Sequence, residues 1–194
     1  MDLLQHDFFV ALGYKADVIE KYFSEHSFEW SINLHDTGLH TATGGRAKQI
    51  SSSLNGERCF LTYGDGLSDV NIDKLLEFHT SHKKLATITA IIPPGRYGSL
   101  KITDNDSVNG FTEKPRGEFG YVNGGFFVLS PSCIDFIKDD FTSWEKEPLE
   151  DLAKKGELMA FKHTKFWQPM DTLRDKNQLE IMWNKNEAPW KIWK

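Results

Sequence analysis

Hydrophobic and polar residues follow two alternating patterns along the first half of the chain. One set of segments has the short apolar or every-second-residue pattern of β-strands, and the other has the spacing of helices. Strands are expected over 7–12, 28–34, 59–63 and 85–92, and helices over 14–24, 47–54 and 72–82. Asn71 precedes the last helix and is expected to cap it. Strands and helices in this order predict βαβ units and a parallel sheet.

The second half of the chain has a more mixed pattern. Strands are expected over 97–102, 108–113, 124–129 and 158–166, the first two as a hairpin around Asp104-Asn-Asp106. Helices are expected from Pro131 to Lys138, from a capping box at Thr142–Glu145 to Gly156, and from a capping box at Thr172–Asp175 to about Asn184. The pattern predicts one α/β domain over 1–194, with a mixed and mainly parallel sheet flanked by helices.

Composition narrows the possible partners. The chain has 194 residues and a net charge of −5, and its Lys and Arg residues are scattered, which argues against nucleic-acid binding. No apolar run reaches the roughly 20 residues of a membrane span, and the N-terminal residues lack the order of a signal peptide. Cys59 and Cys133 form no CxxC motif, so neither a disulfide framework nor a zinc site is predicted. We expect a soluble protein of the reducing cytoplasm.

The stretch Gly64-Asp65-Gly66 follows a predicted strand and precedes a predicted helix. Open α/β sheets bind ligands beyond the carboxyl ends of their strands, and the two glycines let a ligand approach the backbone closely. Asp65 is therefore a candidate metal ligand. A turn aspartate, with Asp69 or Asn71 capping the helix, explains the same residues equally well.

Asp171 is a second candidate because it follows the loop 166–170 and precedes a predicted helix cap. Acidic residues near a helix start are favoured by the helix dipole alone, so Asp171 has a structural explanation as well. Taken together, Asp65 and Asp171 each follow a separate strand and can converge on one hard cation. Mg²⁺ in phosphoryl chemistry is commonly held by one or two carboxylates together with phosphate oxygens.

Three further segments have side chains suited to phosphates or sugars. Residues 41–46 (TATGGR) combine hydroxyls, flexible amides and a guanidinium, although an ordinary glycine turn has the same composition. Residues 113–116 (EKPR) place opposite charges at a strand end, in a ligand site or in a solvated turn. In 123–125 (NGG), the glycines allow a ring to lie on the backbone or form a β-bulge.

In order along the chain, DTGLHTATGGR, TYGDGLSD, EKPRG, NGGFFVL, WEKEPLEDLAKKGELMAF, FWQPMDTLRDK and APWKIW resemble the glucose-1-phosphate cytidylyltransferases. The resemblance covers residues 7–193 and implies the Rossmann-like nucleotidyltransferase fold. It further implies transfer of a cytidylyl group from CTP to α-D-glucose 1-phosphate, which gives CDP-glucose and pyrophosphate for lipopolysaccharide O-antigen synthesis. A homo-oligomer is expected by the same resemblance.

The resemblance also assigns roles to individual residues. It implies that Asp65 and Asp171 are the catalytic residues that hold Mg²⁺ and that Gly64 lies against the nucleotide. Thr41 and Arg46 would contact CTP. Glu113, Lys114, Asn123 and Gly124 would line the sugar phosphate.

The chain departs from the family in two places. It lacks the first strand and the GGxGTR loop with its lysine, which grip the triphosphate, and a segment between Phe23 and Trp30. We therefore expect impaired turnover, because the amides of such a loop are hard to replace. One alternative is a non-catalytic sugar-phosphate binding or assembly module. Another is a metal-dependent glycosyltransferase that uses Asp65 and Asp69, which Asp171 argues against.

Overall fold

The computed structural model describes residues 7–93, 99–112 and 120–193. The strands in these ranges are β1 (Asp7–Leu12), β2 (Ser31–Asp36), β3 (Cys59–Leu61), β4 (Gly66–Ser68), β5 (Ala86–Ile91), β6 (Ser99–Ile102), β7 (Val108–Thr112), β8 (Val122–Leu129), β9 (Leu158–His163) and β10 (Trp167–Pro169). The helices are α1 (Ala16–Glu25), α2 (Thr43–Ser51), α3 (Ile72–His82), α4 (Glu147–Lys154) and α5 (Leu173–Asn184), with short 3-10 helices at Ser52–Leu54 and Pro131–Phe136.

The strands form four sheets within the described residues. β1 and β2 pair in parallel around α1, as the predicted βαβ unit requires. The largest sheet has the strand order β3-β8-β5-β9. β6 pairs with β7 as the predicted antiparallel hairpin, and β4 pairs with β10 in an antiparallel ribbon that the hydrophobic pattern did not predict. Strands of only three residues are too short to show a period.

The chain forms two compact units. The first contains the described parts of 1–60, 79–86 and 128–159, and the second contains those of 61–78, 87–127 and 160–194. Trp144 and Leu152 are fully buried in the first unit, as are Leu75 and Phe127 in the second. The expected single domain over 1–194 stays a prediction. No helix among the described residues combines the length and apolar character needed to cross a bilayer.

Helix α2 begins at Thr43, so the expectation of a loop up to Arg46 and a helix over 47–54 was wrong at this end. Gly44 and Gly45 are buried because this helix packs on the backbone of residues 140–144. A Cβ atom on Gly45 would lie 2.4 Å from the Asp140 carbonyl oxygen. The glycine pair therefore permits close packing rather than a flexible turn.

Of the two predicted capping boxes, only the second one forms. Thr172 caps α5, and its side chain and that of Asp175 exchange hydrogen bonds with each other's backbone N–H groups. Thr142 instead exchanges hydrogen bonds with Asp139, and Glu145 accepts one from Thr43 at 2.6 Å. Helix α4 starts later than predicted, at Glu147, because Thr142 binds Asp139 and Glu145 binds the distant Thr43 instead of forming the cap. Asn71 caps α3 as predicted and accepts from the Lys74 amide at 2.8 Å.

The Gly45→Ala variant is expected to lower the free energy of unfolding by roughly 1–3 kcal/mol, because the added methyl meets backbone that cannot rotate away. Urea denaturation measures this change. Gly66→Ala is the matched control, since its Cβ would meet no atom within 4 Å. Equal loss of stability in both variants would contradict the packing role of Gly45.

The last turn of helix α3 contains a buried histidine. His79 is 2% exposed, and its Nε2 lies 3.3 Å from the Ser130 hydroxyl oxygen. Burial, together with the smaller effects of the positive charges of His82 and Arg58, lowers the pKa of His79 from an ordinary 6.5 to about 4. The unfolded chain therefore binds a proton at His79 at a higher pH than the folded chain does.

This difference predicts that His79 makes the protein less stable as the pH falls from 6.5 towards 4. Between pH 7 and pH 5, wild type should lose on the order of 1–2 kcal/mol more stability than His79→Gln, which has no titrating group there. Urea denaturation at each pH measures the difference. The control is His40→Gln, at an exposed position, which should follow wild type. Parallel pH profiles for wild type and His79→Gln would contradict the prediction.

Candidate active site

The ribbon of β4 and β10 brings Asp65 and Asp171 to the same end of two paired strands. In its register Trp167 lies opposite Ser68, and Pro169 lies opposite Gly66. One step further along, the Met170 amide donates to the Asp65 carbonyl oxygen at 2.7 Å. Asp171 follows Met170, so the backbones of the two aspartates lie at the same end of the ribbon, one residue out of register, although more than 100 residues separate them in the sequence.

The residues at this end of the ribbon suit a magnesium ion. Asp65 and Asp171 are exposed and supply carboxylate oxygens, the ligand type that Mg²⁺ prefers. No group of three or more His, Cys, Asp or Glu side chains in the described parts of the chain is placed to hold a metal. A pair of carboxylates still fits Mg²⁺, because this ion keeps several waters and takes further oxygens from substrate phosphates.

Gly64 leaves the backbone beside Asp65 open. A Cβ atom built at Gly64 would meet no other atom within 4 Å. A flat ligand can therefore lie directly against the peptide there, as the nucleotide-binding role predicted for Gly64 requires.

Asn123, Gly124 and Gly125 begin β8 in the same unit. Gly125 has φ +82°, and a Cβ atom there would lie 2.6 Å from the ring of Tyr63. A ring thus does lie on this backbone, as one of the two interpretations of the NGG motif proposed, and it belongs to the protein itself. The Asn123 side chain accepts from the Gly125 amide at 2.8 Å and donates to the Tyr63 hydroxyl at 3.2 Å. These bonds set the orientation of the Asn123 amide and use one of its two N–H groups.

Two aromatic residues that the sequence did not point to connect this motif to the ribbon. Tyr63 directly precedes Gly64, and Trp167 in β10 donates its indole N–H to the Gly124 carbonyl oxygen at 2.7 Å. Tyr63 adjoins Gly64 in the sequence and Trp167 lies four residues before Asp171, and this proximity was the one signal available. Their hydrogen bonds hold the Asn123–Gly124 segment next to the strands that lead to Asp65 and Asp171.

Thr41 and Arg46 belong to the first unit, where their polar groups contact the protein. The Thr41 hydroxyl donates to the Thr37 carbonyl oxygen. Arg46 Nη1 donates to the Leu12 carbonyl oxygen and to the Thr37 hydroxyl oxygen, each at 2.5 Å. The Arg46 guanidinium therefore holds the end of β1. This structural role cannot be inferred from a single arginine in a Gly-rich segment.

The predicted site residues thus fall into three groups. Gly64, Asp65, Asn123, Gly124 and Asp171 all lie in the second unit, around the ribbon and the start of β8. Thr41 and Arg46 lie in the first unit. The structure does not describe residues 113–119, so Glu113 and Lys114 lie outside the described residues.

Comparison with known proteins supplies the family. The nucleotidyl transferase family model matches residues 6–172. A glucose-1-phosphate cytidylyltransferase from Salmonella typhimurium is 46% identical over 210 aligned positions, covering 96% of this chain and 81% of the relative. A probable glucose-1-phosphate cytidylyltransferase from Bacillus subtilis is 35% identical and covers 97% of this chain and 82% of its own. The first alignment is longer than this chain, so that relative has residues within the aligned span that the chain lacks.

Among solved structures, HddC from Yersinia pseudotuberculosis has the same fold. It superposes with a TM-score of 0.67 at 24% identity and covers 89% of this chain and 76% of its own. The predicted α/β nucleotidyltransferase fold is confirmed, and so is the resemblance inferred from the order of the motifs. The chain therefore belongs to the nucleotidyl transferase family and, within it, to the glucose-1-phosphate cytidylyltransferases.

Proposed function

We propose that this protein transfers the cytidylyl group of CTP to α-D-glucose 1-phosphate and releases pyrophosphate. The observation that supports the proposal most directly is the ribbon, which brings the backbones of Asp65 and Asp171 to one end in a chain 46% identical to a cytidylyltransferase. Paired carboxylates beside an open glycine backbone suit a metal-bound triphosphate better than they suit a neutral ligand.

The reaction needs one bond to form and one to break. A phosphate oxygen of the sugar phosphate attacks the α-phosphorus of CTP, and the bond to the bridging oxygen between the α- and β-phosphorus atoms breaks, so that pyrophosphate leaves. Mg²⁺ held by Asp65 and Asp171 would neutralise negative charge on the phosphates. Catalysis then depends on holding the two substrates in line, and no covalent intermediate with the protein is required.

Each side of the proposed site has its own residues. Gly64 offers open backbone to the nucleotide, whereas contacts of Thr41 and Arg46 with CTP stay a prediction from the resemblance. Asn123 has a fixed amide with one N–H group beyond its two bonds, which suits a sugar hydroxyl or a phosphate oxygen. The Gly124 carbonyl oxygen already accepts from Trp167, so Gly124 would serve the sugar phosphate by its lack of a side chain. By the resemblance, Glu113 and Lys114 would also contact the sugar phosphate.

The proposal also includes the cellular location, the oligomeric state and the use of the product. We expect a cytoplasmic homo-oligomer that supplies CDP-glucose for O-antigen synthesis. Weak turnover stays a prediction. It is tested by comparing kcat with that of the Salmonella relative under the same conditions.

Asp65→Asn and Asp171→Asn should each lower pyrophosphate release from CTP, glucose 1-phosphate and Mg²⁺ by about 100-fold or more, because each removes a metal-binding charge. A coupled pyrophosphate assay measures the rate. The control is Asp135→Asn, at an exposed aspartate of the first unit, which should keep the wild-type rate. Wild-type rates in either site variant would contradict the assignment.

The same protein preparation tests the alternative of a sugar-phosphate binding module. Calorimetric titration with glucose 1-phosphate and then with CTP reports binding without turnover. Binding of the sugar phosphate with no pyrophosphate release would favour the module and would count against the enzyme.

A further inference from the structure

The backbone of Phe166, between β9 and β10, is held by three side chains at the far end of the ribbon from the aspartates. Its carbonyl oxygen lies 2.8 Å from Ser68 Oγ and 3.0 Å from His163 Nε2. Its amide donates to Asp69 Oδ1 at 2.9 Å, and the Asp69 amide donates back to the Phe166 carbonyl at 3.3 Å. We call Ser68, Asp69 and His163, with the Phe166 backbone that they hold, the Phe166 clamp.

His163 acts as a donor within the clamp. Its Nε2 lies 3.0 Å from Asp69 Oδ1 and 3.2 Å from Ser68 Oγ, besides its contact with the carbonyl oxygen. Carboxylate and carbonyl oxygens only accept hydrogen bonds, so Nε2 carries a hydrogen. Asp69, Ser68 and Phe166 all approach this one nitrogen, which excludes the relay of a Ser-His-Asp triad, where the acid binds the other ring nitrogen. The side chains of His163 and Asp69 are 7% and 17% exposed, so solvent weakens their pairing little.

The clamp has consequences for the aspartates because the ribbon is short. Only three residue pairs join β4 to β10, and an isolated two-stranded ribbon is marginally stable. A slip by one residue would turn every side chain of a strand to the opposite face. The first ribbon pair is Trp167 with Ser68, directly beside the clamp, and the last bond joins Met170 to Asp65.

We propose that Asp69 and His163 are positioning residues that hold the register of this ribbon and thereby place Asp65 and Asp171 for metal binding. The part of this inference that concerns the metal rests on the proposed function. The part that concerns the register does not, and the two are measured separately.

The register is tested by hydrogen exchange at the Met170 amide in folded protein. His163→Phe keeps an aromatic ring of similar size but removes the donor, and should speed exchange at Met170 by about tenfold or more. His163→Gln keeps an N–H group close to the position of Nε2 and should restore slow exchange. Asp69→Asn, which loses the charge, should fall between wild type and His163→Phe. Unchanged exchange at Met170 in His163→Phe would overturn the inference whatever the enzyme's activity.

Metal placement is tested with Mn²⁺ by electron paramagnetic resonance, with CTP present and the sugar phosphate omitted. His163→Phe should weaken Mn²⁺ binding by about fivefold or more, and His163→Gln should bind like wild type. His79→Gln is the control for a general loss of stability, since it removes a buried histidine of the first unit and should leave Mn²⁺ binding and Met170 exchange unchanged.

The outcomes separate the two proposals. If Asp65→Asn binds Mn²⁺ as wild type does, the proposed metal site is wrong and the metal part of the inference falls with it. If Asp65→Asn loses Mn²⁺ while His163→Phe keeps wild-type binding, the site stands and the positioning role is overturned. Loss in both variants, with rescue by His163→Gln, supports both.

Discussion

The pairing of β4 with β10 is the interaction on which the candidate site depends. It joins segments about 100 residues apart. Its formation therefore costs more loop-closure entropy than contacts between residues that are close in the sequence. Backbone hydrogen bonds contribute about 0.5–1.5 kcal/mol each, whereas bonds to a charged group contribute about 1.5–3 kcal/mol. Because the ribbon has only three residue pairs, the bonds that Asp69 makes to His163 and Phe166 are comparable with those of the ribbon itself.

Aromatic side chains extend this constraint to the start of β8. Tyr63 packs its ring on Gly125 and accepts from Asn123, while Trp167 donates to the Gly124 carbonyl oxygen. Tyr63 leads into Gly64 and Asp65, and Trp167 begins the strand that leads to Asp171. The sugar-phosphate candidates and the metal candidates are therefore held by shared residues, so a change in one aromatic ring affects both.

Glycine pairs illustrate why composition alone did not decide function. Gly44 and Gly45 belong to a segment whose composition suits a phosphate-holding loop, but their lack of side chains lets α2 pack on the backbone of 140–144. In the NGG motif, Gly125 accommodates a protein ring, whereas Gly64 faces open space. The same residue type thus serves helix packing, ring packing or ligand access. These roles differ in what a Cβ atom at the glycine would meet: distant backbone, a distant ring or open space.

The sequence by itself determined the α/β class, most element positions and the family, because periodicity, the Asn71 and Thr172 caps and the ordered motifs are local features. It also proposed Asp65 and Asp171 as a pair of metal ligands, which stays a prediction. Only the tertiary structure decided that the segments carrying the two aspartates pair in one ribbon, that Tyr63 and Trp167 support Asn123 and Gly124, and that Arg46 binds the end of β1. It likewise moved the start of α4, since Glu145 binds Thr43 instead of completing a capping box. These outcomes depend on partners far along the chain, and no local pattern encodes which distant group will satisfy a given side chain.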